Sequence, residues 1–257
     1  VNAAGQTTVR GYIAISNMSK GFFLGGMNIE DSSLNDNLTF TNIGGTLKIE
    51  DVVVTENSDV EPGGAGIVIE DSTAEVKLSE VLVHDLPGDG MRIDNSLGKG
   101  SVTLNNSAAV TNGGDGINVT TRGKVNFNGV TARWNFGDGG NLSKTYAVYL
   151  TNSVFDSNGG SGLKIVPGAA ATSVNGKNVF ASGNWQAGIW IELAAGNVSL
   201  ENVVANGNGQ NDGPSAATPE SGLFIQTGGT VVLKNITANE NDQYADNISA
   251  EEFHPGV

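Results

Sequence analysis

Asp89, Asp115 and Asp138 are the titratable residues whose spacing is most suggestive of chemistry. Each stands directly before a glycine, and they lie 26 and then 23 residues apart. If a structural repeat of that length stacks them in one column, their like charges repel, and a hard cation with oxygen ligands such as Ca2+ relieves the repulsion. Asp89 and Asp115 also offer the acid and base that cleavage of a glycosidic bond needs. The plain alternative is that each Asp caps its own glycine turn and stays solvated. A second group is aromatic. Trp190 and Phe224 each follow a Gly-Ile or Gly-Leu pair, with Trp185 close by in the preceding turn. Exposed rings side by side stack on sugar rings or form the centre of a protein contact. The C-terminal tail or the 209–220 segment folded over them is the alternative. The histidines are His84 and His254, and cysteine is absent, so neither a disulfide nor thiol chemistry is available.

These residues are positioned by a repeat. In SVTLNNSAAVTNGGDGINV, Ser101 to Val119, three short segments alternate apolar and polar residues: Val102 and Leu104, then Ser107 and Ala109, then Ile117 and Val119. The first two return from Thr46, Glu75, Lys124, Ala147, Ser173, Asn197 and Thr230. The third returns after Gly66, Gly90, Gly162, Gly188 and Gly222. Starts 23 to 33 residues apart, with Gly/Asn turns and no amphipathic helix, predict about eight regular coils of a β solenoid over 46–241. Residues 1–45 read as irregular coils, in which Gly11-Tyr-Ile-Ala-Ile and Gly26-Met-Asn-Ile are worn anchors and Leu38–Phe40 competes with Leu47–Ile49. Residues 242–257 read as a tail or cap. Insertions at 58–64 and 209–220 interrupt the same turn, where a binding loop would sit, the plainer alternative being a simple surface loop.

Coils stacked about 4.8 Å apart turn equivalent positions into ladders. Asn57, Asn112, Asn135, Asn158, Asn184, Asn208 and Asn241 form a structural asparagine ladder, broken at Leu86. Val68, Arg92, Asn118, Asn141, Lys164, Trp190 and Phe224 form an outward ladder that contains no acid. The middle residues Val53, Leu82, Ala108, Thr131, Val154, Phe180, Val204 and Thr237 form an outward stripe that is mostly apolar. Such a stripe predicts self-association, unless the register is slipped by one residue and the stripe is core.

The inward V-x-L, V-x-A and G-I-x-I strands with their turn asparagines resemble the right-handed parallel β-helix family, the pectate-lyase-like solenoids. The resemblance implies an all-β, single-stranded helix of parallel strands, on a scaffold that carries lyases, hydrolases, phage tailspikes and adhesins alike. Enzymes of this fold place carboxylates, or a Lys or Arg beside Ca2+-binding acids, on outward strand faces. The paired-aspartate, Gly-His-Gly and Arg-Ile-Lys motifs of the polygalacturonases are missing. The resemblance therefore implies the extracellular adhesin or structural type, with no catalytic residue assigned. The alternative is a carbohydrate-binding or carbohydrate-cleaving β-helix.

Composition narrows the partners. A net charge of −14 over 257 residues repels phosphate backbones and anionic bilayers, and disfavours a polyanionic substrate. Expected partners are copies of the chain itself, as a homo-oligomer or filament, and cell-surface glycans. Nucleic acid and membrane insertion are not expected. A cysteine-free, Asn/Gly/Thr-rich acidic chain points to a bacterial or archaeal surface. Neither end carries a capping helix, which predicts either a longer chain or end-to-end stacking of coils.

Overall fold

The computed structural model describes residues 7–30, 36–55, 64–166, 173–209, 221–241 and 248–252. Each period of the sequence is one coil, and each coil passes through two parallel sheets in turn. A 12-stranded sheet takes the V-x-L and V-x-A segments, and a 10-stranded sheet takes the glycine-anchored segments. Among the described residues no helix is long and apolar enough to cross a membrane.

The strand Leu47–Thr55 explains how one coil is built. Leu47 and Ile49, then Val52 and Val54, are fully buried, yet the two pairs are separated by two outward residues, Glu50 and Asp51. Strict alternation allows only one, so the chain has to bend between the pairs. It does so through Asp51, whose φ of 54° is left-handed. The same bend recurs at Gly26, Glu80, Asn106, Gly129, Asn152, Asn178, Asn202 and Asn235, with φ between 47° and 68°. Asparagine tolerates this region, and here it also links coils: Asn178 donates to Asn152 at 2.8 Å, Asn202 to Asn178 at 2.9 Å and Asn235 to Asn202 at 3.0 Å. This second asparagine ladder emerges only from the stacked coils.

The core is a set of apolar columns shared by both sheets, with Phe127 and Phe155 stacked at 6.3 Å between centroids. Each fully buried Val, Leu or Ile contributes roughly 1.5–3 kcal/mol. The pairing places Val53, Leu82, Ala108, Thr131, Val154, Phe180, Val204 and Thr237 in one column. That column faces outward, with Phe180 48% exposed, while Val52, Val81, Val130, Val179 and Val203 are buried. A slip of one residue is therefore ruled out.

The N-terminal reading needs correction. Strands are regular from Thr7, which pairs with Met27. Gly26-Met-Asn-Ile is not a glycine anchor: Met27, Asn28 and Ile29 pair with Val52, Val53 and Val54, and Gly26 is the bend. Leu38–Phe40 and Leu47–Ile49 do not compete, because they lie in different sheets. At the other end Ile248–Glu252 pairs with Leu223–Thr227, so the sheet continues past the last regular coil.

Candidate functional site

The turn that follows each V-x-A strand is built the same way in successive coils. Its first residue is left-handed: Asp85, Thr111, Trp134, Ser157, Gly183, Gly207 and Glu240, with φ between 55° and 66°. Next comes the buried asparagine ladder, as the sequence predicted from Asn112 through Asn135, Asn158, Asn184 and Asn208 to Asn241; Asn57 lies outside the described residues. From Asn112 to Asn208, each side-chain amide donates to the Oδ1 of the asparagine one coil on, at 2.8–3.0 Å. Asn158 uses its full capacity. Its Oδ1 accepts from the main-chain and side-chain nitrogens of Asn135, and its Nδ2 donates to the Ala132 carbonyl and to Asn184. Where Leu86 breaks the ladder, its main-chain N–H still donates to Asn112.

On this rigid floor lies a groove of about 760 Å³ that spans five coils, from Asp85 to Trp185. Three aromatic residues line it and remain open to solvent: Trp134 is 55% exposed, Phe136 82% and Trp185 58%. Asp85, Thr111 and Ser157 add polar groups. Trp134 occupies the left-handed turn position at φ 55°, where a bulky side chain is strained by about 1–3 kcal/mol. Its ring is held in place from one side. The guanidinium of Arg133 lies 4.8 Å from the ring centroid, and Asp156 grips that guanidinium through Nε at 2.6 Å and Nη2 at 2.8 Å.

The aspartate column exists, and one oxygen of each carboxylate is used by the main chain. Oδ1 of Asp89 accepts the N–H of Asp115 at 2.8 Å, Oδ1 of Asp115 that of Asp138 at 2.8 Å, and Oδ1 of Asp138 that of Ser161 at 2.6 Å. Oδ2 of Asp115 accepts from Asn118 and Asn141 at 3.3 and 3.1 Å. Glycines at 114, 137 and 160 make the approach possible, since a Cβ there would collide with the Asp oxygens below. Burial pushes Asp138 up to about 6, with Ser161 and Lys164 opposing and the Asp115 charge adding to the rise. Burial also raises Asp89. Among the described residues no three His, Cys, Asp or Glu side chains are grouped to hold a metal ion. Repulsion in the column is thus countered by N–H donors already in place.

The expected aromatic patch divides in two. Trp190 and Phe224 pair edge to face at 6.3 Å on the outer side of the 10-stranded sheet, with the Lys164 ammonium 4.5 Å from the Trp190 ring. Trp185 instead joins Trp134 and Phe136 in the groove. Trp134 and Phe136 are not among the residues expected from the sequence. The available signal was a tryptophan in a column otherwise made of Asp, Thr, Ser, Gly and Glu.

The family profile "Right handed beta helix region" matches residues 37–204 and 110–255. No curated relative matches the sequence. Tailspike protein 2 of Escherichia coli O157:H7 bacteriophage CAB120 superimposes with a TM-score of 0.57 at 12% identity, covering 90% of this chain and 34% of the tailspike. The chain therefore spans about a third of the tailspike's length. The pectate lyase Pel9A superimposes with a TM-score of 0.51 at 17% identity, covering 94% of this chain and 70% of the lyase. At these identities the likeness is one of fold.

Proposed function

We propose, from the premise that this chain belongs to the right-handed β-helix family, that it is an extracellular or cell-surface adhesive solenoid that binds glycans in the Trp134–Phe136–Trp185 groove. The observation that carries the reading is the set of three exposed rings in one groove, one of them held at a strained backbone position. Strain of that kind persists where the side chain has a use that glycine, present at the equivalent positions 183 and 207, cannot serve. The pyranose face offers C–H groups to a ring and the sugar edge offers hydroxyls to Asp85, Thr111 and Ser157. One similar structure is a pectate lyase, which is in keeping with a carbohydrate-facing role. Binding rather than cleavage is preferred because, among the described residues lining the groove, Asp85 is the single carboxylate, whereas glycoside cleavage takes a pair.

Affinity electrophoresis through gels containing xylan, mannan, mixed-linkage glucan or galactan tests this. At least one polysaccharide is expected to retard the protein, and Trp134→Ala and Trp185→Ala to weaken retention about tenfold. Phe180→Ala, on a different face, should be retained as the wild type is. Trp134→Gly should lose retention while melting no lower than wild type, because glycine relieves the left-handed strain. No retardation by any glycan, or retention indifferent to both tryptophans, rejects the proposal.

A second reading is supported by the outward stripe, in which Phe180 is 48% exposed on a largely apolar column. It is self-association through that face, to a homo-oligomer or a filament. Calcium at Asp89, Asp115 and Asp138 would belong to either reading, and a melting temperature lowered by EDTA is the result that would support it.

A further inference from the structure

The residue after the ladder asparagine alternates along the groove. It is Pro87 after Leu86, then Gly113, Phe136, Gly159, Trp185 and Gly209. Main-chain bonds fix these as consecutive rungs: Gly113 donates to the Leu86 carbonyl, Phe136 to Asn112, Gly159 to Asn135, Trp185 to Asn158 and Gly209 to Asn184, at 2.7–3.0 Å. A ring-bearing residue therefore occurs on every second rung, and rungs about 4.8 Å apart space the rings about 9.6 Å apart. The intervening glycines are required by packing. A Cβ at Gly113 would collide with the Pro87 carbonyl oxygen, and one at Gly159 with that of Phe136. No side chain projects from Gly113 or Gly159 into the space between rings, and the same coils contribute the polar Thr111 and Ser157 at the groove's lining.

We infer that the groove holds a neutral, extended polysaccharide with a two-sugar repeat, its chain running along the solenoid axis and every second sugar set against a ring. The inference rests on the glycan-binding reading above. In a β-1,4-linked ribbon each sugar is rotated half a turn from the last, so the same ring face returns once per disaccharide, at a pitch close to that of the rings. A curved α-1,4-linked chain does not keep that register over four rungs. Charge excludes an anionic chain. Asp85 is the single acidic residue, and no basic residue is found, among the described residues lining the groove; the nearby Arg133 is committed to Asp156, and the chain carries a net −14.

Titration calorimetry with xylo-, cello- and manno-oligosaccharides from the disaccharide to the hexasaccharide tests the inference, with maltohexaose and oligogalacturonate as controls. One β-1,4 series is expected to gain roughly tenfold in affinity between the disaccharide and the pentasaccharide, then level off once the rings from Pro87 to Trp185 are spanned. Phe136→Ala, which removes the middle ring, should abolish the gain in affinity with length. A disaccharide that binds as well as the hexasaccharide, still dependent on Trp185, overturns the extended-chain inference but leaves glycan binding intact. Preference for maltohexaose or oligogalacturonate overturns it likewise. Binding of no sugar, or dimerisation lost in Phe136→Ala, removes both readings.

Discussion

Trp134 and Asp138 both sit where their chemistry is disfavoured, and the consequences differ. Trp134 is the aromatic member of a set of left-handed turn residues that are otherwise small or polar, and its strain is tied to an exposed ring. Asp138 is 9% exposed and lies above the Asp115 charge, so burial holds its carboxyl near 6 even though Ser161 donates to it. The sign follows from linkage. Because the folded chain binds this proton more tightly than the unfolded one, the group favours folding most below about pH 4, and that contribution is lost as pH rises through about 6. Asp138→Asn keeps the Oδ1 that Ser161 uses and removes the charge. It is expected to raise the melting temperature by about 3 °C near pH 8 and to leave it unchanged near pH 4. An equal shift at both pH values would mean that the buried charge is not what the substitution relieves.

At the scale of the repeating turn, stability depends on whether a ladder is buried. Asn158 makes four hydrogen bonds out of reach of water, two accepted and two donated. Asn158→Ala leaves the main-chain N–H of Asn135 without its acceptor, takes one of two acceptors from the Asn135 amide and removes the donor to the Ala132 carbonyl, and should cost about 4 kcal/mol in guanidinium unfolding. Asn178, in the bend ladder, is bonded along the column at 2.8 and 2.9 Å but close to solvent. Asn178→Ala should cost about 1 kcal/mol, chiefly for placing alanine in a left-handed conformation. Equal losses at the two sites would deny the buried ladder its special weight.

For the whole molecule, two parallel sheets stacked coil upon coil give a stiff rod with distinct faces. The groove follows the turns after the V-x-A strands, while the apolar stripe runs along the outside of the 12-stranded sheet. The last regular strand of that sheet, Val231–Thr237, keeps Val231, Leu233 and Ile236 only partly covered. If the stripe joins copies, sedimentation velocity should show association that grows with concentration and is lost in Phe180→Asp but kept in Trp185→Ala. A single monomeric boundary at every concentration would dismiss the self-association reading without touching the groove.

The sequence by itself determined the coil, its register and its buried ladder, because each is written as one residue type recurring at one interval. Inward valines at Val52, Val81 and Val130, the asparagines from Asn112 to Asn241, and the outward residues from Arg92 to Phe224 landed where the pattern placed them, whereas Val68, expected at the head of that outward column, pairs in register but is fully buried. The first coils were obscured because Asn37 stands where other coils carry the anchoring glycine, and because Leu38 and Leu47 look alike but belong to different sheets. Only the tertiary structure decided the groove. Trp134 occupies a column of mixed residue types and Phe136 one in which rings alternate with glycines, so no single residue type recurring at one interval marks them. Their exposure follows from the left-handed turn and from the bare glycine rungs on either side, which are properties of stacked coils rather than of any one stretch of chain.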